Sequence, residues 1–357
     1  MSIVRRKEND RIVFPLLAGL LFAGGLVVWL LFLGGHEADR AWRAFLVNFL
    51  FFTSLAGGLV TWSAIVLASN GRWPGALERF TLMGMGFAVP SLLALLALWV
   101  GSSAWAPWYG KTFHQGVWLD TSVLFGRNLI ALLFFWWFAL CYTVRRRRGE
   151  GHRLAGWLVF VYCVVWSFLG FDLVMALDPH WYSSLAGGYF FISGLYIAVA
   201  CWALMACLRP ETDPQRRHDL GKLVFAFSIL TTYMFYAQLM PIWYENLPHE
   251  VLFLLPRMNY PWKWVSWVLV GLVFLGPLVL LLTIRAKRSR LYLGSLASLL
   301  LLGMWTERWW LVMPTFMPGP RFGLIEVSIT AAFLGLAVLS LGWAYRRWPL
   351  QVSGGDE

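Results

Sequence analysis

Charge is scarce in this 357-residue sequence. Asp, Glu, Lys and Arg make up only 13% of it, against 59% hydrophobic residues. Long uncharged runs at that density exclude an ordinary soluble domain and predict an all-α integral membrane protein. Cysteine is scarce too. Cys141, Cys163, Cys201 and Cys207 are scattered through apolar runs, without Cys-x-x-Cys, haem-attachment or iron–sulfur spacing, and read as small hydrophobes. All six histidines are expected in loops or at helix ends, so the paired intramembrane ligands of a b-type haem are missing. There is no P-loop and no dinucleotide fingerprint. The expectation is therefore that this chain binds no cofactor of its own, and that any electron chemistry belongs to a partner. Beside such a partner, this chain would supply a quinone pocket, a proton path or only a scaffold.

What the sequence does contain is ten apolar runs, at about 12–34, 41–69, 76–101, 119–143, 154–177, 185–208, 220–243, 262–284, 291–313 and 323–345. Each can cross about 30 Å of hydrocarbon at roughly 1.5 Å per residue. The first run is longer than the core of a cleavable signal and no small-residue cleavage site follows it, so it is expected to persist as a span. If the runs alternate, the basic clusters all fall on one side: Arg5 to Arg11, Arg145 to Arg153, Arg209 to Lys222, Arg285 to Arg290, and Arg346 with Arg347. By the positive-inside rule that side is the cytoplasm, with both termini in it. The net charge of +11 therefore points to membrane orientation and not to nucleic acid. The opposite loops, 102–118, 244–262 and 314–322, are rich in Trp, Tyr, Pro and Gly. With Trp181, Trp243, Trp309 and Trp310 at neighbouring span ends, they predict an interfacial aromatic belt partly covered by another protein.

The ionisable residues inside the runs are the functional candidates, because a lone carboxylate in hydrocarbon costs several kcal/mol unless paired or protonated. Asp172 lies about two turns below the outer end of the fifth run. Arg127 lies at similar depth on the fourth, which makes an ion pair between them an expectation. Asp178 and His180 follow at the boundary. The seventh run has the most polar outer half, with Thr231, Thr232, Tyr233, Tyr236 and Gln238, and with Glu245, His249 and Glu250 at its mouth. Glu307 and Arg308 end the ninth run, and Arg321 and Glu326 open the tenth. These groups are expected to form one outer-half polar cluster. Asn48, Thr53, Ser54 and Ser63 on the second run are expected to serve as interhelical hydrogen bonds. The bland alternative for every one of these residues is that it ties helices together.

Two stretches carry a resemblance: 171–191 (FDLVMALDPHWYSSLAGGYFF) and 235–250 (FYAQLMPIWYENLPHE). They resemble the signature segments of the second NrfD-like, polysulfide-reductase-type membrane subunit of bacterial alternative complex III, the quinol:cytochrome c oxidoreductase. With the ten-run layout, the resemblance covers most of the chain. One departure is His249, where that family often has the first of two adjacent acids. The resemblance implies one polytopic domain, residues 1–357, made of two four-helix bundles, here 41–177 and 185–313, with flanking helices 12–34 and 323–345. It implies a non-redox subunit in a bacterial cytoplasmic membrane that contributes a proton path, a quinone-pocket surface, or both. It also implies partners: a sister NrfD-like subunit, an iron–sulfur subunit, and multihaem and monohaem cytochromes c that carry the haem c and iron–sulfur clusters. Two alternatives stand beside this reading. A pure scaffold would use the same charged residues as structural pairs. A secondary transporter would need broken helices with a charged site at mid-membrane, and Pro90 and Pro241 have no such charge beside them. A free-standing enzyme has no visible nucleophile–base constellation.

Overall fold

The structure, a computed structural model, describes residues 2–245 and 248–347, with side chains described over 14–245 and 251–347. Among the described residues the secondary structure is entirely helical. The long helices are α1 (Ser2–Leu33), α2 (Ala38–Ala68), α3 (Gly75–Val100, with 3-10 turns), α4 (Thr121–Arg147), α5 (His152–Leu173), α6 (Leu185–Leu208) and α7 (Pro214–Glu245). They are followed by α8 (Pro248–Met258), α9 (Trp262–Leu280), the short α10 (Ile284–Arg288), α11 (Arg290–Val312) and α12 (Leu324–Arg347).

Nine of the described helices are long and apolar enough to cross a membrane. The expected ninth run, 291–313, does form one unbroken helix of 23 residues, α11, but is not among the nine. Its length suffices for about 30 Å. What sets it apart is Glu307 and Arg308 in its last turns, which lower its mean hydropathy. Both are buried, so the neighbouring helices and not the lipid meet this charge.

Burial grades the helices from centre to rim. The most apolar window of α2 is 94% buried, against 17% for α1 and for α7. α2 packs along α5, α6 and α11, and α6 packs along α2, α5, α7 and α11. The α2–α6 contact is thus the seam between segments 41–177 and 185–313. It is close because it is glycine-lined: a Cβ on Gly58 would come within 2.7 Å of the Ala198 Cβ and 2.8 Å of the Gly194 carbonyl oxygen. Without a hydrophobic drive between helices in lipid, such close backbone approach and interhelical hydrogen bonds provide the attraction. Trp62 Nε1 donates to the Leu195 carbonyl at 2.9 Å across this seam. Trp166 Nε1 donates to Ser54 Oγ at 3.2 Å, and Trp305 Nε1 to Asn48 Oδ1 at 3.0 Å, the interhelical roles expected of Ser54 and Asn48. The two flanking helices, α1 and α12, pack chiefly on each other.

α9 is irregular. A π-helical turn over Val270–Leu275 precedes Pro277. Proline donates no backbone hydrogen bond and its ring crowds the preceding turn, so the ladder opens there. This turn forms part of the wall of the cavity described below.

Several residues expected in an aromatic belt are instead core. Trp105, Trp108, Trp181, Trp262, Trp309 and Trp310 are buried, whereas Trp243, Tyr244 and Tyr260 are exposed.

Candidate functional site

Among the described residues the buried ion pairs of the outer half do not form one cluster. They form three groups, on α4 with α5, on α6 with α11, and on α2 with α12. In the first, Asp172 is fully buried. Its Oδ2 accepts from Arg127 Nε at 3.0 Å, from Arg127 Nη2 at 2.8 Å and from Asn128 Nδ2 at 2.6 Å. The Arg127 guanidinium lies 3.7 Å from the centre of the Trp118 ring. The expected Arg127–Asp172 pair is therefore present, with Asn128 as a third member. Asp172 Oδ1 and Asn128 Oδ1 are buried acceptors without a hydrogen-bond partner among the described residues.

The second group is the most enclosed. Arg308 Nη1 donates to Glu307 Oε2 at 2.8 Å, and Arg308 Nη2 donates to Ser193 Oγ at 2.8 Å. The Tyr189 hydroxyl donates to Glu307 Oε1 at 2.5 Å. Both members of the ion pair are essentially inaccessible to solvent. Glu307 also forms part of the wall of an apolar cavity of about 230 Å³, otherwise lined by Phe235, Leu239, Val270, Phe274 and Trp310 among others. Beside Tyr189 lies a second void of about 20 Å³, bounded also by Gly170, Val174, Gln238 and Phe253 among others. That is room for about one water molecule.

In the third group Glu326 is buried and takes both oxygens to Arg40, at 2.8 Å to Nε and 2.8 Å to Nη2. The Gly323 amide donates to Glu326 Oε2 at 2.8 Å. Arg321 contributes its carbonyl to Arg40 Nη2.

The remaining candidates divide as follows. Tyr233 and Tyr236 are 61% and 60% exposed and do not line an interior. They belong to an outward stripe with Ile229, Met240 and Trp243, spaced three or four residues apart. The polar interior expected for α7 is thus reduced to Thr231, Thr232 and Gln238. Asp178 accepts from the His180 backbone amide at 3.2 Å in a local turn. His180 and Glu245 are exposed. The side chains of His249 and Glu250 lie outside the described residues.

Residues that the sequence reading did not single out complete the picture. Tyr189 and Asn128 are neutral members of the two ion-pair groups. Arg257 is buried, with its guanidinium donating to the Leu311 carbonyl at 2.7 Å. Burial pushes it down to about 9, against the opposing pull of Asp178, so it keeps its charge at neutral pH. Towards the other end of the bundle, Glu78 Oε1 and Oε2 accept from Arg146 Nε and Nη2, each at 2.7 Å. Ser63 Oγ donates to Glu78 Oε1 at 2.8 Å and lies 2.9 Å from the Tyr142 hydroxyl. A lone acid within the third apolar run was the available signal for Glu78. Among the described residues no group of three His, Cys, Asp or Glu side chains is placed to hold a metal ion.

Comparison with protein-family models and with curated proteins finds no match to this chain.

Proposed function

We propose that the chain is a non-redox membrane subunit of a quinol:cytochrome c oxidoreductase of the alternative complex III type. In this reading it contributes a quinone-facing pocket and a proton path in the outer half of a bacterial cytoplasmic membrane. Both termini lie in the cytoplasm, and the sister membrane subunit, the iron–sulfur subunit and the two cytochromes c are its partners. The observation that carries the proposal is Glu307: a buried carboxyl, hydrogen-bonded to a tyrosine, at the wall of an apolar cavity.

A flat apolar ring needs an apolar enclosure with a few fixed polar groups. The cavity supplies Phe235, Phe274 and Trp310 for the ring, and Glu307, whose side chain is 1% exposed, is the ionisable residue among those that line it. Loss of electrons from a quinol releases protons, and a carboxyl at the wall is the group to receive them. Tyr189 then connects Glu307 to the water-sized void beside Gln238, in the direction of the outer ends of α5 and α7. Arg308 keeps Glu307 from being an isolated buried charge.

A scaffold role is favoured by a different observation. Asp172, Glu307, Glu326 and Glu78 each meet a guanidinium from this same chain. Glu307→Gln separates the two readings, because glutamine can still bond to Tyr189 and Arg308 but cannot exchange a proton. Subunit stoichiometry and quinol:cytochrome c activity are measured on one preparation. Normal assembly with turnover reduced about a hundredfold, the range of a lost proton-transfer group, supports the path. Normal assembly with full turnover supports the scaffold.

A further inference from the structure

The end of the bundle opposite Glu307 carries a concentration of positive charge that the preceding reading does not use. Residues 209–222 and 285–290 hold eight Arg and Lys against three acids, a surplus of five charges. Lys222 pairs with Asp219 at 2.6 Å. Five other cations are held by neutral oxygens, Arg209 among them through the Tyr345 hydroxyl, so their charge is not cancelled there. Arg290 Nε donates to the Cys207 carbonyl at 2.6 Å and its Nη2 to Leu208 at 3.3 Å. Arg288 Nη2 donates to Gln215 Oε1 at 2.9 Å. Arg217 Nε donates to the Arg288 carbonyl at 3.0 Å. Lys287 Nζ donates to the Leu281 carbonyl at 2.8 Å.

These contacts fix the cations in space. The Lys287 stem packs so closely on α7 that a Cβ on Gly221 would come within 2.8 Å of its Cγ. α10 is thereby fastened across the start of α7, with Arg288 brought to the first turn of α7 and Arg290 to the last residues of α6. Apolar surface adjoins them at the same level. Leu208, whose carbonyl Arg290 grips, is 66% exposed, and Leu291 beside Arg290 is 83% exposed. Here α6 ends and α11 begins, so the charges stand at the edge of the apolar spans and the leucines just within it.

We propose that this corner binds one anionic phospholipid. Its phosphate lies among Arg285, Arg288 and Arg290, and its acyl chains lie along Leu208 and Leu291. Fixed guanidinium groups suit phosphate oxygens. Basic pockets between helices at the membrane surface take lipid head groups. An acidic protein segment would satisfy the charge but would leave exposed leucines at the hydrocarbon edge without a counterpart. The proposal is independent of quinol chemistry.

The test is native mass spectrometry of the full chain in neutral detergent, titrated with dioleoylphosphatidylglycerol or dioleoylphosphatidylcholine. One phosphatidylglycerol is expected to be retained in preference to phosphatidylcholine. Arg285→Gln with Arg288→Gln is expected to weaken retention about tenfold or more, while Arg288→Lys preserves it. Both arginines are exposed, and among the described residues the side-chain bond this removes is the one from Arg288 to Gln215, so the helix-end contacts of Arg290 and Lys287 remain. A second arm needs no variant: millimolar inorganic phosphate is added to the wild-type complex, and the lipid is expected to stay bound. Equal retention of the two lipids, unchanged retention by a folded double variant, or displacement by inorganic phosphate would overturn the proposal.

Discussion

Asp172 and Glu307 are both buried carboxyls that meet an arginine of the same chain. Asp172 is clamped by Arg127 and Asn128 through one oxygen, with the guanidinium stacked on Trp118. Removing the cation leaves a buried carboxylate without a counter-charge, which costs about 3–5 kcal/mol when a buried pair is broken. Arg127→Leu is therefore expected to destabilise the protein by roughly that amount, and Asp172→Asn by less, because asparagine still offers Arg127 an acceptor. Denaturation of both variants in the same detergent checks this, and equal losses would contradict it. Asp172→Asn is further expected to leave the complex assembled. Its effect on turnover then decides whether Asp172, with its Oδ1 unpartnered among the described residues, takes part in the proposed proton exchange. Depth within a run was legible in the sequence, and so the Arg127–Asp172 pair could be anticipated from two antiparallel helices. The partner of Glu326 could not: Arg40 stands 286 positions away, and a pair of that separation follows from tertiary packing alone.

Helices were the most legible level. The run expected at 185–208 is the helix Leu185–Leu208, and 41–69 is Ala38–Ala68. The direction each face points was less legible. A polar or aromatic residue in a membrane helix serves equally in an interior or at the lipid interface, so Tyr233 and Tyr236 read as interior by chemistry. Their spacing with Ile229, Met240 and Trp243 places them on one outward stripe. The glycines at helix seams make a further prediction. Gly58→Ala drives a methyl group against Ala198 and the Gly194 carbonyl, and overpacking of this kind costs about 1–3 kcal/mol. Gly126, on α4, has no atom within 4 Å of the position a Cβ would take. Gly126→Ala is expected to be neutral or stabilising by up to about 1 kcal/mol, since alanine is the better helix former. Thermal unfolding of the two variants in detergent should therefore move in opposite directions or separate clearly. A Gly58→Ala protein as stable as Gly126→Ala would show that the α2–α6 seam is looser than its geometry.

Across the whole molecule, α11 sets the topology. With α11 crossing, the spans number ten and the termini share a side. Without it they number nine and the termini part. Its burial among α2, α6 and α9 and its length support crossing. Reporter fusions are expected to place both termini in the cytoplasm, and opposite sides would remove α11 from the spans. Purified apart from any partner, the chain is expected to show no haem Soret band and no stoichiometric iron, because its histidines and cysteines do not form the ligand sets those groups need. A haem retained after separation would contradict that. Glu307 is proposed to exchange protons with a quinol held in the apolar cavity. The most direct test is quinol:cytochrome c turnover of Glu307→Gln, measured in the same preparation as subunit stoichiometry. A complete complex with turnover reduced about a hundredfold is expected. A complete complex with wild-type turnover would contradict it.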